Sequence, residues 1–196
     1  PGTGSTLAAT GDPLHVADIT GGTLTIPATG RLSIDPAAHG YLSTTLVNRG
    51  TLTAETTNGS GWYFLDGSVD NYGTLNLGGR YLGNNTGTTS IINRPGAALT
   101  TTGAYITVPV TLDGTLTNTG TSPTDLETVS GTANLVVSVA PGGTGGFTFL
   151  GTAPTLGTLH LVIAPGYVLP GGSTVVPVSA GAVSGSFLAV SDGWSV

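Results

Sequence analysis

The chain has 196 residues and contains no cysteine, no methionine and no lysine. Without cysteine there is no disulfide framework, no thiolate metal site and no redox motif. Charge is scarce as well: 7% of the residues are charged, against roughly 25% in an ordinary globular domain. The arginines are scattered and the net charge is −6. That excludes the basic patch which nucleic acid or an anionic membrane surface requires. No apolar run approaches the ~18 residues of a membrane-spanning helix, so membrane insertion is not expected. No window sustains a 3.6-residue apolar period. Disorder is also excluded, because it needs low hydrophobicity with high net charge, whereas 38% of the residues are hydrophobic and the mean hydropathy is +0.28.

What remains is a chain of Val, Leu, Ile, Ala and Thr, broken every few residues by 33 Gly and 12 Pro. Thr and Val favour a pleated, half-buried surface, and the breaks leave little room for helices. The reading is all-β. The stretch "LVNRGTLTAE" (46–55) returns as "VDNYGTLNL" (69–77) and again as "INRPGAALTT" (92–101). Gly-Thr-Leu occurs at 22–24, 50–52, 73–75, 114–116 and 157–159, with Gly131-Thr132-Ala133 a near copy. Irregular intervals in the twenties point to a solenoid with variable corners.

Each copy alternates. Thr51 and Thr53 share one side, while Leu52 and Ala54 share the other, as in a strand with one buried side. One coil cannot bury its apolar side alone, so stacked coils are expected to join Leu24, Leu52 and Leu75 into a single column. Glycine before the strand is expected to supply a tight bend or positive φ. Asn48, Asn71 and Asn93 fall at one corner of successive copies, with Asp113 near it in the next. Stacked in register, their amides are expected to bond to one another as a ladder.

"VNRGTL", "DNYGTL" and "INRPGAAL" resemble the right-handed parallel β-helix repeats of secreted bacterial adhesins and autotransporter passenger domains. The tail "GTLHLVIAPGYVLPGGSTVVPVSAGAVSGSFLAV" (157–190) is similar to a segment found near the end of such surface proteins. The resemblance implies a right-handed parallel β-helix and an extracellular or cell-surface location. Residues 1–140 are expected to form the solenoid body. "APGGTGG" (140–146) marks a break, after which 141–196 continue the solenoid or cap it with a small β segment.

Candidate sites are few. The aromatic run Trp62-Tyr63-Phe64, with Tyr81 and Tyr105, could stack on sugar rings while Asp66 or Arg80 bonds hydroxyls; the competing reading packs alternate aromatics inside while Trp62 covers a loop. Outward Thr pairs at Thr23/Thr25, Thr51/Thr53, Thr74/Asn76, Thr115/Thr117, Thr132/Asn134 and Thr158/His160 could form the flat stripe of an ice-binding solenoid. Asp66 and Asp70, and Asp125 and Glu127, are the only close acids that invite an acid/base or calcium reading. The Gly/Asp nonapeptide calcium repeat is absent. His15, His39 and His160 have no ligand-spaced neighbours. Arg49 and Arg94 are expected to bond nearby acids or carbonyls.

The expectation is therefore a non-enzymatic extracellular stalk, fibre or surface-layer segment, with no cofactor, no metal site and no catalytic residue. The opening Pro1 and the lack of a capping helix read as a piece of a longer protein, or as ends that meet other copies in a filament. A carbohydrate-binding module for surface glycans and an ice-binding solenoid are the alternatives.

Overall fold

A computed structural model describes residues 14–16, 18–34, 40–53, 62–64, 67–79, 81–84, 89–182, 187, 189 and 190. Among them every regular element is a β-strand and none is a helix. The strands stack in parallel along three faces of one winding chain, so the fold is a parallel β-helix. Face one holds Arg31–Ile34, Thr51–Thr53, Thr74–Asn76, Ala98–Thr101, Thr115–Asn118, then 134–137 and 158–163, each in register with the next. Face two holds 40–42, Trp62–Phe64, Tyr81–Asn84, Tyr105–Ile106, Thr124–Leu126, Phe147–Thr152 and Val178–Ala182. Face three holds 23–26, 45–48, Ser68–Asn71, Ser90–Asn93, Val110–Leu112 and 129–131.

Alternation turns every second side chain into the axis. On face one Leu32, Leu52, Leu75, Leu99, Leu116, Leu135 and Leu159 form a column, none more than 3% exposed. Face three adds Leu24, Leu46, Val69, Ile91 and Val110. Face two adds Leu82, Ile106, Leu126 and Phe149. Each buried leucine contributes about 1.5–3 kcal/mol. At about 4.8 Å per coil, the run from Leu32 to Leu159 makes a rod roughly 29 Å long.

The first Gly-Thr-Leu copy does not lie where its sequence places it. Leu24 is in register with Leu46 on face three, whereas the face-one partner of Leu52 is Leu32. The true first copy is Gly30-Arg31-Leu32-Ser33: Gly30 O accepts from Thr51 N as Gly50 O accepts from Thr74 N. Likewise Gly131-Thr132-Ala133 is displaced, and Leu135 takes the column position after an irregularity between Ala133 and Leu135.

The expected positive φ is present at Gly22 (65°) and Gly131 (92°), but glycine has a different task at Gly50 and Gly73. Neither Gly50 nor Gly73 has a positive φ. A Cβ on Gly73 would collide with the carbonyl oxygen of Gly50 in the coil below, and one on Gly50 with that of Gly30. Close approach of stacked corners, rather than backbone handedness, demands glycine there.

Past residue 140 the ladders go on. Val129–Ala140 folds back against Gly143–Thr144, the antiparallel pair at the Ala140-Pro141-Gly142-Gly143 turn. Phe147–Thr152 and Thr155–Ile163 then rejoin the parallel faces. Residues 164–177 carry no strand, and Val168 there is 82% exposed.

Candidate functional site

Face three meets face one at a corner built on asparagine. Asn48 Nδ2 donates to Asn71 Oδ1 at 2.7 Å, and Asn71 Nδ2 to Asn93 Oδ1 at 2.8 Å. The same amides donate to carbonyl oxygens of the coil above: Asn48 to Thr74 at 2.8 Å, Asn71 to Ala98 at 3.0 Å and Asn93 to Thr115 at 3.1 Å. All three side chains are fully buried, and a buried amide must be satisfied in this way. The ladder stops at both ends. Ile26 is in register below Asn48, and Leu112 above Asn93. Asp113, expected near this corner, comes one residue after the ladder position.

Outside that corner runs a second column. The Arg49 guanidinium lies 4.6 Å from the Tyr72 ring centroid and that of Arg94 5.5 Å from it. Arg94 Nε donates to Asp70 Oδ1 at 2.6 Å and its Nη2 to Oδ2 at 3.1 Å. This hydrogen bond raises Arg94 above the ordinary arginine value. The arginines thus bind a ring and an acid of neighbouring coils, through weak, solvent-screened cation–π contacts and one ion pair.

A third polar cluster occupies the corner between faces one and two. Asn118 Nδ2 donates to Ser122 O at 2.8 Å and Gly146 O at 3.0 Å, while Gly120 N donates to Asn118 Oδ1 at 2.9 Å. Thr101 and Thr124 join hydroxyls at 2.7 Å. None of these was singled out from the sequence. The signal was there, since Asn118-Thr119-Gly120 repeats the Asn-x-Gly spacing of Asn71-Tyr72-Gly73, where Gly73 N donates to Asn71 Oδ1 at 3.3 Å.

The aromatic candidates divide. Asp66 and Arg80 lie outside the described residues, as do His39 and the acid Glu55. For Trp62 and Tyr63 the backbone alone is described: Trp62 is in register with buried Leu82, and Tyr63 with Tyr41 and Gly83. Tyr81 is 37% exposed and Tyr105 38%. They are in register on face two, with ring centroids 5.6 Å apart and planes 32° apart. Tyr105 Oη donates to Glu127 Oε1 at 2.6 Å. That hydrogen bond, before desolvation and the neighbouring negative charges, holds the Tyr105 phenol above its ordinary pKa.

The outward stripe of face one is re-drawn by the register. Thr23/Thr25 leave it for face three, and Thr132/Asn134 give way to Asn134/Val136. Its rows become Thr51/Thr53, Thr74/Asn76, Ala98/Thr100, Thr115/Thr117, Asn134/Val136 and Thr158/His160, with no formal charge between Thr51 and Thr158. Among the described residues no three His, Asp or Glu side chains converge. No family model, no curated protein and no solved structure matches the chain.

Proposed function

We propose that this β-helix is a structural segment of an extracellular, adhesin-like bacterial surface protein: a non-enzymatic stalk, fibre or surface-layer element that associates end to end. The reading rests on one observation above others. The leucine column passes from coil to coil without a break from Leu32 to Leu159, which makes length and stiffness the main product of the sequence. The described ionisable groups support it. Asp70 is engaged by Arg94 and Glu127 by Tyr105, so these acids brace neighbouring coils. Parallel coils also present the same ladder geometry to a further copy. Electron microscopy with light scattering over a concentration series tests the association: axial filaments or rods are expected, and a monodisperse 19.3 kDa monomer at every concentration contradicts it.

The face-one rows from Thr51 to Thr158, which carry no formal charge above the Arg31 row, favour a second reading, ice binding. Thermal hysteresis that disappears in Thr115→Tyr supports it; freezing with no hysteresis rejects it.

A further inference from the structure

The Tyr81–Tyr105–Glu127 group is more than a brace. Face two carries Tyr81, Tyr105, Asp125 and Thr148 in successive register, pointing away from the column of Leu82, Ile106, Leu126 and Phe149. The two rings are held before any ligand arrives. Tyr81 reaches along its own strand to lie over Gly83, where a Cβ would collide with its ring. Tyr105 is pinned by its hydrogen bond to Glu127. Fixing exposed side chains in advance reduces the entropy lost on binding.

We infer that this group binds a neutral polysaccharide, with the paired rings stacking on the sugars and the Glu127 carboxylate accepting their hydroxyls. Tyrosine offers an apolar body and a polar tip, which suits sugar rings that are apolar on their faces and polar at their rims. Both rings are exposed on the outer side of a ladder of parallel strands, which suits one side of an extended chain rather than an enclosed monosaccharide. The charges beside the rings among the described residues are the carboxylates Asp125 and Glu127, which repel uronate or sulfate groups. The site is independent of end-to-end association and can be present or absent whichever way that reading falls.

Affinity electrophoresis of the whole chain in gels containing galactomannan, xylan, hydroxyethyl cellulose or mixed-linkage glucan provides the test, with polygalacturonate as the anionic control. At least one neutral polymer is expected to retard the chain. Tyr105→Ala should weaken that binding at least tenfold. Gly83→Ala, which displaces the Tyr81 ring and leaves the core untouched, should weaken it severalfold with an unchanged circular dichroism spectrum. Tyr72→Ala, at an exposed ring on another corner, should bind as the parent does. The inference fails if no neutral polymer retards the chain, if polygalacturonate binds best, or if Gly83→Ala and Tyr105→Ala both bind as the parent does.

Discussion

Asn71 lies between Asn48 and Asn93 in one hydrogen-bonded file, accepting from the first at 2.7 Å and donating to the second at 2.8 Å. Its removal orphans Asn93 Oδ1 and half of the Asn48 donors in a corner closed to water. Asn71→Ala is therefore expected to cost about 1–3 kcal/mol, read from urea unfolding. Asn48→Ala should cost less. Asn48 ends the file above Ile26, and its Oδ1 is already buried without a hydrogen bond among the described residues. Equal costs for the two would contradict the ladder.

Gly73 and Gly171 separate close approach from flexibility. At Gly73 a Cβ meets the rigid Gly50 carbonyl, whereas at Gly171 it meets nothing within 4 Å. Gly73→Ala should destabilise by about 1–3 kcal/mol through overpacking. Gly171→Ala should be neutral, or stabilise by about 0.4–1 kcal/mol through the unfolded chain. Thermal melts of the two variants decide this, and similar melting temperatures would refute the stacked-corner account.

The Tyr105–Glu127 bond makes a prediction in alkaline solution. Because the folded phenol is raised above its unfolded value, its contribution is complete below about pH 10 and fades only as pH climbs through the raised value. The tyrosinate absorbance lost in Tyr105→Phe should titrate above the ordinary range, and Glu127→Gln should bring that component down. A Tyr105 component titrating at the ordinary value in the parent chain would show that the bond does not persist in solution.

Much of the architecture was legible because the solenoid writes its rules locally. Period-two alternation marks which side of a strand is buried, and the spacing of Asn48, Asn71 and Asn93 marks one corner per coil. Register between distant copies was less legible. All three faces use the same alternation, so Gly22-Thr23-Leu24 looks like a member of the leucine column while belonging to face three. Its real counterpart, Gly30-Arg31-Leu32-Ser33, is disguised by arginine at an outward position where any polar side chain serves. The Tyr105–Glu127 bond and the Thr101–Thr124 hydroxyl pair join residues one coil apart, and only a known coil length brings such residues together.

The stacking of coils on face one is the relationship on which the rest depends, and a chain without cysteine allows it to be measured cleanly. Spin labels on Thr51→Cys and Thr158→Cys sit on the same outward file, five coils apart. Pulsed electron–electron resonance should return a narrow distance distribution centred near 24 Å, about 4.8 Å for each coil. A broad distribution, or one centred beyond about 35 Å at the same sites, would mean that these strands do not stack and that the solenoid is wrong.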